Sequence, residues 1–256
     1  MPDGEPRGSA GARLGGALGR VLARAVTWGR DYVEATRGQL RALARRALPF
    51  DVPAPAGGVT VVLLPGVWES SGYLEPLARR LAARGLGVLA VPSLGYNLAP
   101  FVDAAPLVRA AIDDLVGDVV LVGHSKGGLT GKRVLVDWAR DAIEGTAPGD
   151  VRLVGLVTIA TPFAGSSRAR LVPWWRSLAE LRDGSPALVA LAAETAANAR
   201  IVELVPSWDP HVPASAPLPG SQVVHLRAAG HFTSVAARET LEQVVAAIAR
   251  LRARTP

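Results

Sequence analysis

From residue 59 onward the chain alternates between two hydrophobic rhythms. Val59–Leu64, Gly87–Val91, Val119–Val122 and Leu153–Ile159 are short, nearly continuous apolar runs, the pattern of strands buried on both faces of a parallel sheet. Between them, Tyr73–Arg84, Ala104–Val116 and Leu129–Ile143 place apolar residues at three- and four-residue steps, the period of an amphipathic helix. Two more strand-like runs, Ile201–Val205 and Gln222–Leu226, and a closing helical pattern over Val235–Arg252 complete the series. Repeated strand–helix units need right-handed crossovers, which place helices on both faces and loops carrying chemistry at one edge. The expectation is an α/β fold: a three-layer α/β/α sandwich around a mostly parallel sheet of about six strands.

The first 58 residues follow another rule. Leu18, Val21, Ala25, Trp28, Tyr32, Leu40, Leu43 and Ala47 recur at helical steps, while Arg13, Arg20, Arg24, Arg37, Arg41 and Arg45 fall largely on a different face. This predicts a basic amphipathic helical arm, with Gly29 or Gly38 as places for a break. Residues 1–12, rich in Gly, Pro and charge, read as a disordered tail, and Pro49–Gly58 as a linker. The predicted organisation is therefore a tail (1–12), an arm with its linker (13–58) and one α/β domain (59–256). Such an arm suits packing against the body, self-association, or peripheral contact with an anionic membrane through residues 14–48.

Composition narrows the field. Residues 1–50 hold nine arginines against Asp3, Glu5, Asp31 and Glu34, so nearly all of the net charge of +6 sits there. Only Lys126 and Lys132 are lysines among 28 basic residues, a coding bias toward arginine that gives no signal for nucleic acid. No apolar run reaches the roughly 18 residues of a membrane span, and arginines interrupt every candidate secretory segment. The expected location is cytoplasmic, with peripheral membrane association as the option that the arm leaves open. Cysteine is absent, and neither metal-ligand spacing nor a glycine-rich phosphate loop appears.

Chemistry concentrates at Gly123-His124-Ser125-Lys126-Gly127-Gly128, which joins an apolar strand to a helical pattern. A strand feeding a helix through Gly-x-Ser-x-Gly forces the serine into a sharp, strained turn that exposes its hydroxyl. A serine hydroxyl at neutral pH needs a base, and the base needs an orienting group. Of the four histidines, His124 reads as packing and His225 lies within a strand. His231, in the loop just past the last strand, is the expected base. Asp209, in the loop Ser207–Pro213 after the preceding strand, is the expected acid. Its other reading is a turn residue before proline. Glu203 lies inside a strand, and Asp183 comes too early.

The order Ser125, Asp209, His231, with the serine on a strand-to-helix turn, resembles the α/β-hydrolase superfamily and, within it, small lipases and esterases. The resemblance covers roughly residues 59–250. It implies that the backbone N–H groups of Val67, at the end of Leu63-Leu64-Pro65-Gly66-Val67, and of Lys126 form an oxyanion hole. Thr158–Ser166 looks like the segment such lipases carry after their sixth strand, and 163–199 occupies the position of a lid. In that segment Leu171, Val172, Trp174, Trp175, Leu178 and Leu181 are apolar, and Trp68 is a further candidate for the substrate pocket. Two departures stand out: Pro65-Gly66 replaces the His-Gly of many relatives, and Lys126 replaces a methionine or glutamine. The Lys126 side chain is read as solvated or ion-paired, or as favouring an acidic group on the substrate. The implied activity is hydrolysis of carboxylic esters or lipids through an acyl-enzyme on Ser125, with no cofactor and no metal. Alternatives are acyl transfer or thioester hydrolysis with the same residues, or a non-catalytic lipid-binding protein on this scaffold.

Overall fold

The computed structural model describes residues 10–44, 51–171, 176–212 and 216–254. Six strands form one parallel sheet: β1 (Val59–Leu64), β2 (Gly87–Ala90), β3 (Gly117–His124), β4 (Val151–Ile159), β5 (Ile201–Val205) and β6 (Gln222–His225). Their order across the sheet is β2-β1-β3-β4-β5-β6, every neighbour parallel. The chain steps from β1 to one side, then crosses back to the other for β3. The loops leaving β1 and β3 therefore diverge over a crevice at the carboxyl ends of the strands, where open α/β sheets hold ligands.

Side chains alternate between two cores, as the two-residue period of a strand demands. Val62, Leu64, Val119 and Leu121 pack with Phe101, Val108, Leu129 and Leu135 on one face. These come from α3 (Phe101–Ile112) and α4 (Lys126–Glu144). Val61, Leu63, Val120 and Val122 pack with Leu77, Leu81, Val244 and Ile248 on the other, from α2 (Glu75–Ala82) and α8 (Arg238–Arg254). The central strands lie in apolar surroundings on both sides, so the three-layer α/β/α arrangement read from the hydrophobic pattern is the one observed.

The N-terminal arm differs from expectation in two respects. It is one unbroken helix, α1 (Ala10–Ala44), which starts inside the stretch read as a disordered tail. Gly29 and Gly38 do not interrupt it, because a single glycine costs a helix only about 1 kcal/mol. Gly38 has a packing role instead: a Cβ there would run into the ring of Tyr73. With Asp31 and Ala42 it forms the buried inner face of α1, at the i, i+7, i+11 spacing of one helical stripe. Leu22, Val26, Val33, Leu40 and Leu43 lie exposed on the opposite face. No helix among the described residues is long and apolar enough to cross a membrane.

Segment 163–199 carries α5 (Arg176–Ala179) and α6 (Pro186–Ala193). Leu178, Leu181, Leu188 and Leu191 are buried. Val172, Trp174 and Trp175, read as apolar residues of a lid, fall outside the described residues.

Candidate active site

β3 runs directly into α4 through Ser125, whose backbone sits at φ 52°, ψ −122°. A non-glycine residue there is strained by its Cβ, and the surroundings hold it in place. The Ser125 N–H extends the ladder to the Ile159 carbonyl (2.9 Å), and Thr161 Oγ1 donates to the Ser125 carbonyl (3.0 Å). A Cβ on Gly127 would collide with the carbonyl of Leu64. Glycine is thus what lets β1 pass the turn closely enough to bring residues 65–68 beside the serine.

His231 follows β6. Gly230, at φ +104°, donates its N–H to the Trp208 carbonyl (2.8 Å), which ties the loop after β6 to the loop after β5. The His231 Nδ1 lies 2.7 Å from Asp209 Oδ2. The other oxygen, Asp209 Oδ1, accepts the N–H groups of His211 (2.7 Å) and Val212 (2.9 Å). Asp209 is thus both the turn residue and the histidine's partner. Burial pushes the Asp209 carboxyl upward, but His231 and the two amides outweigh it and hold the group below the ordinary aspartate range. Burial pulls His231 downward, yet Asp209, with Glu69 and Asp31 behind it, keeps its imidazolium above the ordinary histidine range.

Ser125 and His231 line the same cavity, of about 350 Å³, a size typical of small-molecule sites. Val67 and Trp68 line it from the loop after β1, Leu178 and Leu181 from segment 163–199, and Tyr32 and Ala35 from α1. Of the residues singled out in the sequence, Ser125, His231, Val67, Trp68, Leu178 and Leu181 line this one cavity, and Asp209 stands behind His231.

Of the three readings of the Lys126 side chain, the ion-paired one is observed. The side chain is fully buried, neither solvated nor turned toward the cavity. Its Nζ lies 3.0 Å from Glu180 Oε1 and donates to the carbonyls of Asn97 (3.1 Å) and Ala99. Burial pulls this ammonium below the ordinary lysine range, with Glu180 opposing the shift. Glu180 also accepts the Phe101 N–H at the start of α3 (2.9 Å). One ion pair thus fastens segment 163–199 to the helix that begins at the serine.

Three further groups were not visible in the sequence as parts of this site. Glu69, 1% exposed, accepts the Gly66 N–H through Oε2 (2.7 Å) and lies 2.9 Å from His124 Nδ1. His124 is not simple packing. Its Nε2 reaches the His231 carbonyl at 3.2 Å, so the ring bridges the loop after β1 to the loop after β6. The third group is α1, through Asp31 at the His231 backbone and Gln39, whose Nε2 donates to the Trp68 carbonyl (2.7 Å). The inward stripe of Asp31, Gly38 and Ala42 was the available signal, an acid on the small-residue face of an arginine-rich helix. Among the described residues, no group of three or more histidine, cysteine or carboxylate side chains is placed to hold a metal ion.

The sequence matches no family model and no curated protein. Solved structures do resemble it. A carboxylesterase from the ammonia-oxidizing thaumarchaeon Nitrososphaera gargenis superposes with a TM-score of 0.55 at 16% identity, covering 80% of this chain and 95% of its own. Paleococcus ferrophilus monoacylglycerol lipase gives 0.52 at 17%, covering 80% and 98%. A membrane phospholipase A, described as a bacterial virulence factor, gives 0.52 at 16%, covering 92% and 98%. Together with the parallel sheet and its strand-to-helix serine turn, these likenesses establish that the chain has the α/β-hydrolase fold.

Proposed function

We propose that the protein is a serine hydrolase of carboxylic esters. The observation that carries this reading is His231, held at 2.7 Å by a buried carboxylate and lining the same cavity as a serine on a strained turn. In this reading Ser125 Oγ attacks the ester carbonyl and passes its proton to His231 Nε2. Asp209 fixes the tautomer and stabilises the imidazolium that forms. The N–H groups of Val67 and Lys126 receive the developing oxyanion. Lys126 is the first residue of α4, where a helix leaves its backbone donors without intrahelical partners. His231 returns the proton to the departing alkoxide, leaving an acyl-enzyme on Ser125. A water molecule deprotonated by His231 then releases the acid.

The cavity supports an apolar acyl group, since Trp68, Leu178, Leu181, Val212 and Phe232 line it. The resembling structures include a carboxylesterase, a monoacylglycerol lipase and a phospholipase A, which favours ester or lipid substrates. Acyl transfer and thioester hydrolysis would use the same residues and differ in the group that enters or leaves.

The test is a panel of p-nitrophenyl esters of graded chain length. Wild type is expected to cleave medium chains, and Ser125→Ala to lose turnover. Asp209→Asn is expected to lower kcat by about 10³–10⁴-fold. Because His231 acts as a base when neutral, kcat/KM rises with pH, and the acid limb should sit above an ordinary histidine's. In Asp209→Asn it should move down. A wild type inert toward every ester, or an active Ser125→Ala, would reject the reading.

A further inference from the structure

We propose that Asp31 of the N-terminal helix is a positioning residue for His231, so that α1 is a working part of the site rather than an appendage. The proposal rests on the reading of His231 as the base. Asp31 is fully buried, and it spends both carboxylate oxygens on three consecutive amides of the histidine loop. Its Oδ2 accepts the His231 N–H at 3.0 Å, and its Oδ1 accepts those of Phe232 and Thr233, each at 2.8 Å.

The fit is close. A Cβ on Gly230 would stand 2.5 Å from Asp31 Oδ1, so the residue before the histidine must be glycine for the loop to reach the helix. From the side-chain end His231 is held by Asp209, and from its carbonyl by His124 and by the Ser234 hydroxyl, which donates to it at 3.0 Å. Asp31 supplies the remaining restraint, on its N–H. Without it the ring could still pair with Asp209, while the backbone carrying it would be free to shift relative to Ser125. A displacement of about 1 Å at a reacting group can cost about a hundredfold in rate.

The chemistry of the side chain matters as well. Three donors converge on two oxygens, an arrangement only a carboxylate satisfies. Asparagine offers one oxygen and turns an N–H₂ toward an N–H, and alanine offers nothing. The carboxylate also adds negative charge beside the imidazolium formed during turnover. Around that ring stand Asp209 from the loop after β5, Glu69 from the loop after β1 and Asp31 from α1. The rings of His124 and His211 have centroids 4.8 and 5.1 Å away.

Three measurements on the full chain test this, using Asp31→Asn and Asp31→Ala beside wild type and Ser125→Ala. With a cleaved p-nitrophenyl ester, kcat is expected to fall by about 10- to 100-fold in Asp31→Ala and less in Asp31→Asn, with KM within about twofold of wild type. The acid limb of kcat/KM should move to lower pH in both variants, because the imidazolium loses a neighbouring negative charge. Amide hydrogen exchange should accelerate in peptides spanning 229–236 and remain at wild-type rates across the sheet. Wild-type kcat with an unmoved acid limb in Asp31→Ala would overturn the proposal. Exchange accelerated throughout the chain would also overturn it, making Asp31 a strut of the whole fold. Failure of the underlying reading is separate: it shows as an inert wild type or an active Ser125→Ala, whereas the exchange measurement probes the Asp31 contact without any substrate.

Discussion

At the amino end of the sheet, Asp118 meets the Nε atoms of Arg152 and Arg252 at 2.7 Å each, and both guanidinium side chains are about 40% exposed. At the carboxyl end, Asp31, Glu69, His124, Lys126, Asp209 and His231 are all below a tenth exposed, and each is met by a carbonyl, an amide or an opposite charge. The amino-end cluster is a clasp between β3, β4 and α8 in which Asp118 is buried but both arginines are open to water, which screens them. The carboxyl-end groups lie where screening is weak, so each missing partner is costly and each retained one fixes geometry. Charge at the amino end of this sheet fastens elements together; at the carboxyl end it also aims side chains.

Glu69→Ala should break the comparison most severely. It strips the Gly66 N–H and His124 of their partner, both within a buried network joining the two loops beside Ser125. The expected outcome is a kcat lower by about 10- to 100-fold and a stability loss of about 2–3 kcal/mol. Glu69→Gln should recover much of both, since one amide oxygen can stand where Oε2 does and accept from both Gly66 and His124. Ester turnover and urea denaturation read the two effects.

Lys132 lies between the two ends, and it sharpens the contrast. It is fully buried in α4, six residues beyond Lys126, and among the described residues its Nζ has no hydrogen-bond partner. Burial brings its ammonium down to about 8, with Glu203 and Glu194 opposing the shift. The unfolded chain therefore binds more protons between about pH 8 and the ordinary lysine value near 10.4, and stability should climb with pH through that window by up to about 1 kcal/mol per pH unit. Lys132→Met should flatten the climb in denaturation curves taken at successive pH values.

The smallest effect belongs to Asp118→Asn. The two arginines hold the Asp118 carboxyl below the ordinary aspartate range, chiefly through the Arg152 hydrogen bond. The pair's contribution is present above pH 4 and is lost as pH falls through the depressed value. The substitution should cost about 1 kcal/mol at pH 7 and progressively less in acid, with kcat/KM unchanged. A fall in turnover as large as that of Glu69→Ala would erase the distinction between the ends.

What could be read in the sequence follows the same division. The sheet was legible because each central strand is apolar on both faces, as Val119–Val122 shows. Ser125 was legible because the strand, the turn and the helix that create it are contiguous. Asp209 and His231 could be placed because each stands in a loop just after a strand. Glu69, Asp31 and Glu180 were not legible, because their partners lie 55, 200 and 79 residues away. Periodicity assigns such a residue to a face, but what that face meets is decided by crossovers. The ion pair of Lys126 was among its readings, but its burial was not legible for the same reason: the carbonyls of Asn97 and Ala99 that enclose its ammonium arrive from a loop after β2.

The span between Asp31 and His231 has a consequence for biosynthesis. At a translation rate of roughly 5–20 residues per second, the amides that α1 will grip emerge some 10–40 seconds after the helix itself. Throughout that interval Asp31 waits without the amides it will grip, long after Tyr73 has arrived to pack on Gly38. A carboxylate set among small residues keeps the waiting surface wettable, and only when the final strand docks does that hydrated anion exchange its waters for peptide donors.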